Sequence, residues 1–358
     1  DVDRGVYAVF FSAFLVATVI PKFLAFKPAE VISVSLPVGE RLSQVVQSLR
    51  LGTVPALVGL LPILIAAIAT AGDTTREVTI ALASTAAVAS IASPAQDHVR
   101  QLLHIDRRSW SAAWISTVQF ATVLVGVGVM IAADVPPAWI PFGALAAANV
   151  ISVSLGLYVS RAERESRHAS TALSFGELAS SGRWLLGMAL IPYASAFVGA
   201  MLIVALAGPE AMGFAEAARV AAQPILVFAT GLSAVVGPIG IEAAVHRDLR
   251  KGQRAQRMYL GLTVLAGVFY LAVAGHVWPG NPMVYLVPTA YRLAGLVALT
   301  IVGNTITGAV AQYTNELMGG RKERQLTKIS LVTSPFFLLG AATASFTGAY
   351  ARPLGMIA

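Results

Sequence analysis

The chain has no cysteine among its 358 residues. That excludes a disulfide scaffold, a thiolate metal site and a thiol nucleophile. Charge is scarce as well. Asp, Glu, Lys and Arg make up 12% of the residues, against about 25% in soluble domains. A fraction that small does not solvate the surface of a soluble enzyme. Catalytic signatures are missing too: HExxH, GxxxxGK[ST] and GxSxG do not occur. The five histidines are scattered. Asp97-His98 and His104-Asp106 read as loop residues facing water rather than as metal ligands. Nothing here calls for a metal or a cofactor. No nucleic-acid motif accompanies the net charge of +7.

What is abundant is apolar surface. Hydrophobic residues form 56% of the chain and the mean hydropathy is +0.73. Apolar stretches lie at about 5–26, 53–71, 76–97, 111–133, 138–160, 184–207, 211–244, 258–276, 284–317 and 328–350. Each is far longer than a barrel strand and none alternates with period two. In lipid, only helices and closed barrels satisfy the backbone, so these are helices. The expected class is an all-α polytopic membrane protein with about ten transmembrane helices.

The basic residues set an orientation. With Asp1 outside and the helices alternating, the inner loops are 22–52, 98–110, 161–183, 245–257 and 318–328. They hold 20 of the 25 Lys and Arg residues. Shifting the count by one span would reverse this bias. The outer loops are short and cannot house a catalytic domain, so the chain does not read as an enzyme. Arg107-Arg108 and the run Arg250, Lys251, Arg254, Arg257 either enforce topology or funnel anionic substrate and lipid headgroups towards an inner mouth.

The halves resemble each other. "DRGVYAVFFSAFLVA" aligns with "AMGFAEAARVAAQPI", "SLRLGTVPALVGL" with "RMYLGLTVLAGVF", and "SPAQDHVRQLLHIDRR" with "AVAQYTNELMGGRKER", at offsets of 208, 209 and 216. An even number of spans separates the matches, so both copies share one membrane orientation. This predicts two pseudo-symmetric lobes around a central cavity: 1–160, then a cytoplasmic linker 161–183, then 184–358. By the same comparison, each lobe lacks one helix that its counterpart has. The expectation is therefore a trimmed version of a protein with twelve or more spans.

Several segments together resemble the multidrug/oligosaccharidyl-lipid/polysaccharide (MOP) flippase superfamily, most nearly its O-antigen-type polysaccharide flippases. "RGVYAVFFSAFLVAT" is similar to that family's second helix, and "SPAQDHVRQLLHIDRRSWSA" to the end of its fourth and the loop beyond. "EAMGFAEAARVAAQPILVFATGLSAVVGPIGIEAAVHRD" is similar to its eighth, interrupted at Pro224, Gly231 and Pro238. "ITGAVAQYTNELMGGRKER" is similar to the end of its tenth. The resemblance implies a bacterial cytoplasmic-membrane transporter. Such a protein flips a polyprenyl-pyrophosphate-linked oligosaccharide from the inner to the outer leaflet by alternating access, for cell-surface polysaccharide. Implied partners are the lipid-linked oligosaccharide, membrane lipids, and a glycan polymerase or glycosyltransferases. Alternatives are a cation-coupled multidrug or metabolite exporter of the same superfamily, and a non-transporting scaffold for envelope assembly.

Ionisable groups at membrane depth are the candidate substrate-binding residues. Glu216 and Arg219 are three apart on one helix, and Arg292 lies near the same end of another. Arg76 matches Arg292 at offset 216. Arginine grips pyrophosphate oxygens with paired hydrogen bonds. This nominates Arg219 and Arg292, with Arg76 as a symmetric helper and Glu216 orienting Arg219 or carrying a coupled cation. The structural alternative is a Glu216–Arg219 pair and a snorkelling Arg292. Gln223, one turn from Arg219, and Asn304 are neutral candidates for contacting sugar; such groups also serve as helix–helix hydrogen bonds.

Overall fold

The computed structural model describes residues 2–72, 74–161, 173–275, 278, 280–281 and 293–357. Among them there is no strand. Among the described residues, nine helices are long and apolar enough to cross a membrane. The chain is a multi-pass membrane protein. Its outer faces fit lipid rather than water: Phe120, Leu124, Val125, Val129 and Ile131 are all exposed on a single helix. The contacts divide the chain into two compact units, residues 1–186 and 187–358.

The first unit begins with α1 (Val2–Pro21), a π-helical turn (Lys22–Phe26) and α2 (Lys27–Val34). A 3-10 turn (Arg41–Gln44) leads into α3 (Val45–Val58), and α4 (Leu61–Thr70) follows. The long α5 (Arg76–Ile105) starts where Thr75 accepts a hydrogen bond from the Val78 amide, an N-cap interaction. Then come α6 (Ser109–Ala132) and α7 (Ile140–Val159). Phe10, Phe14, Leu82, Ala86, Ala89 and Phe142 form one buried cluster. The alanines on α5 bring its backbone close to α1 and α7, the packing that small residues permit in membranes.

Segment 22–52 is not the loop that its basic residues suggested. It is helical over most of its length. Three of its four basic residues have partners there. Lys22 donates to Asp97 at 3.0 Å and Lys27 to Glu30 at 2.6 Å. Arg41 is buried and donates to the carbonyls of Val34, Leu36 and Ile105. That single guanidinium supplies donors to three carbonyls left open at helix ends. Nor does the inner turn begin at 98, since α5 continues to Ile105.

A helix α8 (Phe175–Ala207) spans the boundary in sequence between the units. It starts well before residue 184 because Leu178 and Leu185 are buried; the expected linker 161–183 is helical from Phe175, and its stretch 162–172 lies outside the described residues. The second unit continues with α9 (Pro209–Val245), α10 (Leu249–Ala274), α11 (Leu296–Ala309), α12 (Ala311–Gly319), α13 (Glu323–Thr343) and α14 (Ala351–Ile357). Pro224 and Pro238 lie inside α9 without ending it. Neighbouring side chains hold this helix from the side. Tyr259 Oη donates to the Ala229 and Gly308 carbonyls at 3.1 and 2.8 Å. Tyr270 Oη donates to Ala221, and Asn315 Nδ2 to Ser233 Oγ.

Several helices end on one backbone pattern. Helix α5 ends at Ile105 and α12 at Gly319. Two residues further on, Arg107 and Arg321 both take positive φ, at 65° and 56°. Their amides, and those of the next residues, bond back to helix carbonyls in one pattern: Arg107 to His104 and Arg108 to Leu103, Arg321 to Met318 and Lys322 to Leu317. This is the Schellman closure of a helix end. The ends of α6 and α9 close in the same way, at Asp134 (φ 51°) and Arg247 (φ 56°).

Candidate functional site

The second unit encloses a cavity of about 780 Å³. Helix α8 contributes Pro192, Tyr193, Ser195, Gly199 and Ile203; α9 contributes Arg219, Gln223 and Leu226; α11 contributes Asn304 and Thr307. Thr333, Ser334, Phe336 and Phe337 come from α13, and Arg352, Met356 and Ile357 from α14. The wall is thus partly aromatic and aliphatic, with hydroxyls and amides between. No carboxylate lines it among the described residues. Among the described residues, its ionisable groups apart from the Tyr193 phenol are two half-buried guanidiniums.

Helical spacing builds the polar part. Arg219 and Gln223 are four apart on α9, so their side chains meet on one face. Arg219 Nη1 donates to Gln223 Oε1 at 3.3 Å. Asn304 is buried at the same wall and donates from Nδ2 to the Ala222 carbonyl at 3.0 Å. Its Oδ1 has no partner among the described residues. Asn304 is therefore a helix–helix tie at the cavity wall, with its Oδ1 buried.

Three residues nominated from sequence, Arg219, Gln223 and Asn304, line this one cavity. Glu216 lies in α9, one turn before Arg219, and its side chain is outside the described residues. Arg292 lies outside them altogether. Arg76 does not join the cavity. It is exposed at the first turn of α5, in the first unit, whereas the cavity is lined entirely from the second.

Arg352 is not among the residues that the sequence nominates. A break at Gly348, with φ 64° and ψ −121°, a conformation that suits glycine, lets the chain turn before α14. That turn is what carries Arg352 to the cavity. The signal for it was the short, mostly apolar run "ARPLGMI" that begins three residues after that glycine.

A second polar cluster lies in the first unit, at the residues read as solvated loop. His98 is 1% exposed and Glu30 3%. Glu30 accepts from Lys27, and His98 Nδ1 lies 3.2 Å from Glu30 Oε1. His98 Nε2 lies 2.7 Å from Ser48 Oγ. The imidazole stacks on Phe26, with ring centroids 4.7 Å apart. The π-helical turn ending at Phe26 sets that ring, and Gly52 leaves room for it: a Cβ on Gly52 would fall 2.2 Å from Phe26 Cε1. Four elements are locked here by buried, mutually satisfied polar groups.

No family model and no curated protein matches the sequence. Solved structures do match its fold. A multidrug resistance MATE family transporter of the MOP superfamily, in an outward-facing conformation, superposes with a TM-score of 0.76 at 14% identity, over 100% of this chain and 84% of that one. The MATE transporter ClbM in complex with Rb+ gives 0.65 at 17% identity, over 100% and 85%. A mutant of the Vibrio cholerae MATE transporter VcmN gives 0.69 at 13% identity, over 99% and 85%. The chain has the fold of the MATE transporters. All three neighbours are transporters rather than enzymes.

Proposed function

We propose that this chain is a membrane transporter of the multidrug or metabolite exporter kind, whose second-unit cavity takes amphipathic solutes with an anionic head. The observation that carries this reading is the pairing of Arg219 and Arg352 with an apolar wall of Phe336, Phe337, Ile203 and Met356 in one cavity. In a low-dielectric site a guanidinium favours carboxylate, sulfonate or phosphate, which it meets with paired hydrogen bonds. Gln223, Asn304 and Thr307 add neutral donors and acceptors. The volume of about 780 Å³ is that of small-molecule sites, which run to about 1,000 Å³. The likeness to three transporters of the exporter kind supports the same reading.

One observation favours a second reading, the flipping of a polyprenyl-pyrophosphate-linked oligosaccharide at a bacterial cytoplasmic membrane. With two arginines and no carboxylate at the described wall, a diphosphate head would be well received. The glycan polymerase or glycosyltransferase partners belong to this reading alone.

Proteoliposomes separate the two. Uptake of an anionic amphipathic dye, at a rate well above that of a cationic dye of similar size, supports the exporter reading. Flipping of a lipid-linked oligosaccharide with no dye uptake supports the second. Transport of the cationic dye alone contradicts both.

A further inference from the structure

Away from the cavity, three arginines form a row on α10. Arg250, Arg254 and Arg257 stand at i, i+4 and i+7, so they share one helix face, and all three are exposed. Together with Gln253 and Met258 they line an open concavity of about 590 Å³. The nearby acids are directed elsewhere. Glu242 accepts from Lys251 Nζ at 2.8 Å, and Asp248 accepts from the Lys251 amide at 3.0 Å as the helix cap. None of the three arginines forms an ion pair among the described residues. Like charges one turn apart repel, so an anion that bridged the row would stabilise it.

The same face continues past the arginines. Counting on by helical turns reaches Gly261, Val264, Leu265 and Val268. All are exposed, Leu265 by 65% and Val268 by 59%. Gly261 faces open space, with no atom within 4 Å of where a Cβ would stand. The face therefore has a cationic head, a shallow step at the glycine, and an apolar track below it. From Arg257 to Val268 the rise is about 16 Å at ~1.5 Å per residue, close to the ~15 Å hydrocarbon depth of one leaflet.

We propose that this face is a binding site for an anionic phospholipid: its phosphate is held by Arg250, Arg254 and Arg257, and an acyl chain lies along Gly261, Val264, Leu265 and Val268. Head and tail are both accounted for, which a free phosphate would not require. The site uses no residue of the α8–α14 cavity, so it stands or falls independently of the transported solute.

The test counts lipids retained by the detergent-purified protein in native mass spectrometry. Phosphatidylglycerol and phosphatidylcholine with the same acyl chains are supplied in equal amounts. The native protein should retain phosphatidylglycerol in preference. The triple variant R250Q/R254Q/R257Q should lose that preference, with an affinity loss on the order of 100-fold for three surface cations. The triple Lys variant should keep most of it. Gly261→Trp, which leaves the arginines intact and fills the step, should weaken retention several-fold. Millimolar inorganic pyrophosphate should not displace the lipid. Equal retention of the two lipids, or of phosphatidylglycerol by the triple Gln variant, would overturn the proposal. So would full displacement by pyrophosphate, because the ligand would then be a free phosphate.

Discussion

His98 Nδ1 lies 3.2 Å from Glu30 Oε1 across 68 residues of chain, and both side chains are buried. The pair ties α2 to α5, with Lys27 and Ser48 completing it. Removing one side of a buried ion pair such as Lys27–Glu30 costs about 3–5 kcal/mol, and leaving a buried hydrogen-bonding group without its partner costs about 1–3 kcal/mol. Glu30→Ala should therefore lower the unfolding temperature more than His98→Ala does. Thermal unfolding in detergent checks this order. If Glu30→Ala unfolds with the native protein, the cluster is not what holds the first unit's helices at this point.

Gly52 is needed for space. A methyl group there meets Phe26 at 2.2 Å, and overpacking of this kind costs about 1–3 kcal/mol. Gly52→Ala should destabilise the protein, and Phe26→Leu in the same chain should recover part of the loss. The pair should then depart from additivity by about 0.5–3 kcal/mol. Strict additivity in a double-mutant cycle would mean that the close approach carries no energetic weight.

Tyr259 is fully buried and its hydroxyl reaches two backbone carbonyls, one on α9 and one on α11. Tyr259→Phe keeps the ring and removes the donor. The expected loss is about 1–3 kcal/mol of stability, with transport retained once the protein is folded. A variant that is stable but inactive would place Tyr259 in the transport step instead.

Gln223 acts through Arg219. Its Oε1 accepts from the guanidinium at 3.3 Å and so limits where that group can point. Gln223→Leu should raise the KM for an anionic solute several-fold with little change in the maximal rate and none in stability. Gln223→Glu, which sets a carboxylate against the Arg219 guanidinium, should raise the KM for an anionic solute further than Gln223→Leu does. A fall in maximal rate with unchanged KM would contradict that role.

The membrane spans were legible in the sequence because hydropathy alone decides which segments enter lipid. Their edges were not. Lys22, Lys27 and Arg41 look like markers of a loop until their partners are known, and Asp97 and the Val34, Leu36 and Ile105 carbonyls become neighbours only in the fold. The same limit applies at the candidate site. Arg219 and Gln223 were legible together because four residues on a helix is a local relationship. Asn304 joined them through a hydrogen bond to Ala222, 82 residues away. Arg352 escaped notice because its position depends on the turn at Gly348. The Glu30–His98 pair was invisible for the same reason, since no local pattern links positions 30 and 98.

The central claim is that Arg219 and Arg352 together select an anionic head in the second-unit cavity. It is tested most directly by equilibrium binding of a fluorescent amphipathic sulfonate to the purified protein, native and with both arginines changed to Gln. A charge-assisted contact contributes about 1.5–3 kcal/mol. The account predicts that the double variant, with an unchanged unfolding temperature, loses on the order of 100-fold or more in affinity. The affinity for a neutral analogue of the same size should stay the same. Equal affinity of native and variant protein for the sulfonate would contradict it.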